Sequence, residues 1–225
     1  MHLTSEPAIL YFGTPVVLVS TLNADGSANL APISSVFWLG WRCVLGLGAG
    51  SQTARNLQQS RQCVLNLPSQ AQVAMVDRLA LTTGADPVPP GKAACGYRHV
   101  RDKFLHSGFT PEPALTVAAP RVRECPVQLE AVVETVHGIA DDDAALRGRL
   151  LNIELRILRV HLAPSIVMPG HPNRVDPDQW RPLIMSFQKF YGLAPGPLQG
   201  SSLASIDEAV YRSPDVDRAR AAVAL

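Results

Sequence analysis

Asn29-Leu30-Ala31-Pro32-Ile33-Ser34-Ser35, Arg42-Cys43-Val44-Leu45-Gly46-Leu47-Gly48 and Gly50-Ser51-Gln52-Thr53-Ala54-Arg55-Asn56-Leu57 follow one another closely, and the fold turns on how they are read. The first segment reads as a strand whose backbone and small hydroxyl side chains lie close to a flat ligand. The second reads as a neighbouring buried strand. The third is a tight turn opening a helix, with hydroxyls, amides and Arg55 gathered where an anion would sit. A helix start offers unpaired N–H groups and the favourable end of the helix dipole, so phosphate is its natural guest. A strand edge beside a phosphate turn suits a planar, phosphorylated cofactor.

Working outward, the preceding run Pro15-Val16-Val17-Leu18-Val19-Ser20-Thr21 is β-branched, and Asn23-Ala24-Asp25-Gly26 supplies hairpin turn chemistry. The chain returns from Ser27 to Trp38, turns near Gly40 and continues to Gly48. A first helix is predicted over Thr53 to Gln59 and a strand over Gln62 to Leu67, stopped by Pro68. Ser69 reads as the cap of a second helix carrying Val73, Val76, Leu79 and Ala80 at helical spacing. Asp86 to Gly91 is a loop, and Val100 to Ser107 a short helix ending at Gly108. Val127 to Glu134 is a strand. Leu151 to Ile157 alternates strictly until Leu158 breaks the phase, which predicts a bulge of the kind that bends a sheet into a barrel. Ala140-Asp141-Asp142-Asp143, between these strands, is an exposed loop. Asp176-Pro177-Asp178-Gln179 reads as a helix start, and the tail from Pro214 as a surface helix.

Many strands, few helices and frequent Gly/Pro punctuation predict a mainly β fold, a small antiparallel, Greek-key-like β-barrel with helical decoration. The order of elements lacks the βαβ rhythm of a doubly wound sheet, and Gly46-Leu47-Gly48-Ala49-Gly50 lacks Gly-x-Gly-x-x-Gly spacing. Without an internal repeat or low-complexity linker, residues 1–225 read as a single domain with a C-terminal extension from about residue 176.

Composition narrows the function. With 17% charged residues and a formal net charge of +1, the chain is not an electrostatic binder of nucleic acid or anionic membrane. It contains no run of about 18 apolar residues that would span a bilayer. The start Met1-His2-Leu3-Thr4-Ser5-Glu6-Pro7 shows no secretory pattern, so the expected location is the cytoplasm. Cys43, Cys63, Cys95 and Cys125 form no Cys-x-x-Cys pair and read as small hydrophobes, and the histidines fit no metal spacing. No metal is expected. Trp38, Trp41 and Trp180 read as packing residues, and His171 as a loop residue.

The block from Pro15 to Leu67 resembles the flavin reductase-like family with the FMN-binding split-barrel fold. The likeness continues through Asp102-Lys103-Phe104, Ala119-Pro120, Glu124-Cys125-Pro126-Val127 and Leu129-Glu130, and returns at Trp180-Arg181-Pro182-Leu183 and Phe190-Tyr191-Gly192-Leu193. The resemblance implies that Asn29, Ala31, Pro32, Ser34 and Ser35 edge the isoalloxazine ring and ribityl chain. It implies that Ser51, Gln52, Thr53 and Asn56, with Gly50 in the same turn, hold the phosphate, that Arg55 adds charge, and that Lys103 approaches the flavin or its phosphate. A homodimer with flavin between the subunits is expected. The implied activity is an FMN-dependent oxidoreductase passing electrons from NADH or NADPH to free flavin or another acceptor, such as a partner oxygenase. The alternative is an FMN-binding electron carrier reduced by a protein partner. One departure supports that alternative: many family members carry a histidine that receives the nicotinamide at a position falling near Leu150, and His137 and His161 are no obvious replacements. A barrel that keeps the fold without flavin is the third reading.

Overall fold

A computed structural model of the chain describes residues 2–222. Strands β1 (Phe12–Pro15), β2 (Val17–Leu22), β3 (Ala28–Ile33), β4 (Val36–Leu39) and β5 (Arg42–Gly48) precede helix α1 (Gln52–Ser60) and strand β6 (Gln62–Leu67). The middle holds α2 (Val73–Asp77), β7 (Thr82–Thr83), α3 (Pro90–Ala94), β8 (Arg98–His99), α4 (Lys103–Ser107), β9 (Pro111–Glu112) and β10 (Arg121–Val122). Two long strands follow, β11 (Val127–Ile139) and β12 (Leu150–Leu162), then β13 (Ile184–Ser186), β14 (Lys189–Tyr191) and α5 (Pro214–Ala221).

The main sheet is seven-stranded and antiparallel, in the order β3-β2-β6-β11-β12-β5-β4. Its two edge strands are consecutive in the chain. Only Ser34 and Ser35 separate β3 from β4, so the chain passes directly from one edge of the sheet to the other and the sheet rolls round to a corner there, where the Ser35 carbonyl accepts from Gly46 N at 2.8 Å. No ladder joins β3 to β4 among the described residues, so the barrel is split along these two edges. After β5, α1 carries the chain across to β6, which pairs with β2 rather than β5 and produces the Greek-key-like order. The mainly β, barrel-like expectation therefore describes the molecule.

The hairpin turn forms as its residues require. Gly26 adopts φ +80°, Asn23 and Ser27 close the loop, and Asp25 accepts from Ser27 N at 3.0 Å. Strand β2 is apolar on both faces because it separates two cores. Val17 and Val19 point into the barrel with Leu45, Leu65, Ile153 and Leu155, while Leu18 packs outside with Leu30, Leu79, Phe104 and Leu183. Helix α1 plugs the barrel end with Leu57, which is fully buried. Trp38, Trp41 and Trp180 pack against the barrel core.

The bulge expected at Leu158 is present. Glu130 pairs with Arg159 and Ala131 with Ile157, leaving Leu158 as the extra residue. The slip serves the core: Ile153, Leu155 and Ile157 face the barrel interior before it, and Val160 and Leu162 after it. Leu158 itself packs against Val64, Val117 and Ala119 on the other side.

Several expectations are corrected. No helix starts at Asp176. The segment makes one turn, with Asp176 accepting from Asp178 N at 2.9 Å, and is then drawn out because Arg181 O accepts from Gln70 N and Pro182 bridges to Ser69. A residue before proline is in any case steered away from helix. Ser69 caps a 3₁₀ turn rather than α2 directly, and α2 ends at Asp77, before the expected Leu79 and Ala80. Helix α4 starts at Lys103, capped by Asp102, rather than near Val100. The tail helix forms at Pro214, but it is not wholly superficial: Asp215 is buried and held by Arg42 at 3.0 Å and Arg218 at 2.6 Å. Met1 and residues 223–225 of the expected domain lie outside the described residues. Cys43, Cys63 and Cys125 are buried free thiols, as their apolar surroundings suggest, whereas Cys95 is exposed. Burial pushes the Cys43 thiol up to about 12, so it carries no thiolate at neutral pH.

Candidate functional site

The ends of β3 and β5 and the start of α1 converge because Ser35, at the corner between β3 and β4, accepts from Gly46 N on β5. A Cβ at Gly46 would press on the Ser35 side chain at 3.2 Å, so glycine lets the two strands come together there. Beside this junction lies a cleft of about 830 Å³ with Pro32, Ser34, Ser35, Gly48, Gly50, Ala80 and Phe190 in its walls. It adjoins a narrower recess of about 150 Å³ bounded by Asn29, Ala31, Ser51, Gln52, Thr53, Gly84, Lys92 and Lys103. Pro32, Ser51, Lys92 and Tyr97 line both.

The recess gathers backbone donors and positive charge. Ser51 caps α1, its hydroxyl accepting from Ala54 N at 3.1 Å, while Ser51 N donates to Gly48 O and Arg55 N to Ser51 O. The amides of Gln52 and Thr53 are left without an acceptor among the described residues, as a helix start dictates. Lys103 is only 3% exposed, and burial, with the nearby Lys92 charge second, lowers its ammonium to about 8. Lys92 is lowered as well, by burial and then by the charge of Arg55, and it lies 5.3 Å from the centre of the Tyr97 ring. Among the described residues none of these three cations reaches a carboxylate. Of the three only Lys103 is buried, and an uncompensated buried cation is costly, its usual partner being an anion.

Asn29 adds a polar anchor. Its amide nitrogen donates to Thr53 Oγ1 at 3.1 Å, while the buried carbonyl oxygen Oδ1 has no partner. A side chain at position 84 would collide with that carboxamide, so Gly84 keeps the space around it.

Ten of the residues singled out from sequence line these walls: Asn29, Ala31, Pro32, Ser34, Ser35, Gly50, Ser51, Gln52, Thr53 and Lys103. Arg55 and Asn56 do not. Arg55 is an exposed residue on α1 that acts at a distance through Lys92. Asn56 is fully buried and already engaged: Nδ2 donates to Thr21 Oγ1 and Asn23 Oδ1, both at 2.9 Å, and Oδ1 accepts from Gln52 at 2.8 Å. It bolts α1 to the β2–β3 hairpin. The opposite wall, Leu81 to Gly84 with Lys92 and Tyr97, went unread in the sequence. Thr82-Thr83-Gly84 has the same small, hydroxyl-rich character as Asn29–Ser35 and was the available signal. Lys92 had none, since only the return of the chain through α3 brings it opposite α1. His171 sits in a turn closed by Met168 and Arg174 and borders neither cavity. Leu150 pairs with Gly48 in the cleft wall, and the exposed His137 lies opposite Asn152. Among the described residues no group of three His, Cys, Asp or Glu side chains is placed to hold a metal, and no helix is long and apolar enough to cross a membrane.

The fold is a split barrel whose apolar, hydroxyl-edged cleft runs into a recess lined by Lys92 and Lys103. The chain belongs to the flavin reductase like domain family, whose model matches residues 9–163. It is 34% identical over 188 residues to the uncharacterised protein YdfE of Bacillus subtilis (strain 168), covering 84% of this chain and 87% of that one. Its fold is similar to flavoredoxin of Desulfovibrio vulgaris (Miyazaki F), with a TM-score of 0.71 at 20% identity over 91% of this chain and 99% of that one. It is also similar to nitrilotriacetate monooxygenase component B from Bacillus cereus, with a TM-score of 0.64 at 18% identity over 81% and 85%. Those two likenesses establish the fold.

Proposed function

We propose that this protein binds FMN in the cleft and recess and acts as a flavin reductase, taking electrons from NADH or NADPH and passing them to free flavin or another acceptor. The observation that carries the reading is the recess: Lys92, Lys103, two free α1 amides and the unpartnered Asn29 Oδ1 surround a space sized for a phosphate, beside an apolar cleft sized for a ring. In this reading the amides of Gln52 and Thr53 and the Lys103 ammonium hold the phosphate, and Asn29 Oδ1 accepts from a ribityl hydroxyl. Pro32, Ser34 and Ser35 edge the ring, and Ala80 and Phe190 shield it from water. A bound flavin supplies the hydride and electron chemistry, and the protein supplies position, charge and exclusion of solvent.

A homodimer accompanies this proposal, supported by Phe37 and Leu39, 58% and 81% exposed on edge strand β4. So does the single-domain organisation. Beyond the family match, Ile184 to Tyr191 pair onto β1 and add Phe190 to the cleft wall, and Asp215 ties α5 to β5. An oxygenase as acceptor is supported by the relative named as a monooxygenase component. A second reading, an electron carrier reduced by a protein partner, is favoured by Leu150, which places an apolar side chain beside Gly48 where a histidine would receive a nicotinamide.

The test is an absorbance titration with FMN and with riboflavin, followed by anaerobic NADH or NADPH. Perturbed flavin bands that bleach on nucleotide addition support the reductase. Bands that bleach only with dithionite or a protein partner support the carrier. Unperturbed bands at micromolar FMN overturn both.

A further inference from the structure

The far end of β12 borders a second cavity, of about 820 Å³, that the flavin reading does not use. We infer that this groove is a second ligand site, taking an organic anion with an apolar body and a carboxylate or phosphate head. It opens at Trp41, just before the start of β5, whereas the flavin cleft lies at Gly48, its other end. At roughly 3.3 Å per residue the two are about 20 Å apart.

The groove exists because the barrel is split there. Strand β5 pairs with β12 only from Leu150 to Arg156, and beyond the Leu158 bulge that edge of β12 has no neighbouring strand among the described residues. Ala163 N donates toward β11, to Pro126 O at 2.8 Å, so strand alternation turns the amides of Val160 and Leu162 to the open side. The C-terminal tail and the turn at Val167 to Val175 roof this edge without hydrogen-bonding to those two amides. The floor and sides are apolar, from Trp41, Val160, Val167 and Val216.

The charges lining the groove do not cancel. Four arginines and two acids are present. Glu208 is spent on Arg174 at 3.0 Å, and Asp207 accepts from Ala209 N at 2.9 Å. Arg212 is paired with Asp217 just outside. Arg159 and Arg220 are left without a carboxylate, and Arg159 Nε is buried with no hydrogen-bond partner among the described residues. Arg159 Nε is shut off from the groove, so an incoming carboxylate or phosphate would be met by the terminal guanidinium nitrogens of Arg159 and Arg220, which donate to no protein partner among the described residues. The volume falls within the range of small-molecule sites, about 300–1,000 Å³.

The test is calorimetric titration of flavin-saturated protein with benzoate and with decanoate. Saturable one-to-one binding is expected for at least one. Arg220→Gln, at an exposed position on α5, should weaken it by about tenfold, and the Arg159→Gln, Arg220→Gln pair further, as loss of hydrogen bonds to a charged group implies. Omitting the flavin should leave it unchanged. Which acid binds more tightly reports whether the apolar body is a ring or a chain. Absence of binding at millimolar acid overturns the proposal. So does binding indifferent to Arg220→Gln in a protein that melts as wild type, or binding seen only in flavin-free protein, which would place the acid in the flavin cleft.

Discussion

At the scale of single residues, Lys103 links burial to ligand charge. Its depressed ammonium has a definite pH signature. The unfolded chain holds that proton more tightly, so between about 8 and its ordinary 10.5 the lysine makes the flavin-free protein more stable as pH rises. Affinity runs the other way: FMN binding should be strongest below about 8 and weaken as pH climbs through it, while riboflavin, lacking the phosphate, stays nearly flat. Lys103→Met should flatten the FMN profile and cost about 1.5–3 kcal/mol of FMN affinity, roughly ten- to over a hundredfold, read by fluorescence quenching against riboflavin as control. Equal loss for both ligands would remove Lys103 from the phosphate. Asn56 shows the limit of reading residues by type. An amide in a phosphate turn looks like a ligand-holding group, yet its hydrogen bonds are consumed by Thr21, Asn23 and Gln52.

At the scale of elements, the Leu158 bulge sets which face of β12 meets the core. Deleting Leu158 would leave Ile157, Val160 and Leu162 alternating on the core face but would remove the extra residue that bends the strand and packs on Val64, Val117 and Ala119, so a folded protein with a lower Tm is expected. Leu158→Ala, which keeps the count of residues, should remain folded. A neighbouring device ties a loop to the same strand pair. Glu130 is fully buried and accepts from Leu115 N at 2.8 Å, Thr116 N and Oγ1, and His161 Nε2 at 2.6 Å. Burial alone would raise its pKa, but these hydrogen bonds outweigh it and hold the carboxyl below its usual range. Its contribution is therefore present above the ordinary carboxylate value and lost as pH falls through the lowered one. Glu130→Gln should cost about 2 kcal/mol, a fall in Tm of roughly 4–8 °C at neutral pH, and the difference from wild type should shrink in acid. A mutant melting like wild type at neutral pH would show that the clamp contributes nothing.

At the scale of the whole molecule, Phe37 and Leu39 on β4 form an exposed apolar face that a dimer would cover. Phe37→Asp with Leu39→Asp should shift the protein from dimer to monomer in sedimentation velocity, with little change in the melt of the isolated barrel, since both side chains are exposed in the single chain. A wild-type monomer would refute the proposed dimer. Much of this scale was already legible. The hairpin at Asn23–Gly26, the bulge at Leu158 and the turn into α1 are written in local chemistry, because a glycine at positive φ, a phase slip and a capping serine act within a few residues. The helix expected at Asp176 failed for the opposite reason: its local signals are sound, but bridging to Ser69 and Gln70, distant in sequence, pulls the segment straight.

What the sequence by itself determined is therefore the strand-rich pattern, the near wall of the cleft from Asn29 to Thr53, and the family likeness that rests on them. Tertiary structure alone decided that β3 and β4 meet at a corner of the rolled sheet, that Thr82–Gly84 and Lys92 face α1, and that Asn56 is bolted inward while Lys103 reaches no carboxylate among the described residues. It also opened the groove where β5 stops short of β12. The physical reason is range. Turn, cap and alternation are settled between neighbours along the chain, whereas a cavity, a buried charge and an unpaired strand edge depend on which distant segments arrive beside them.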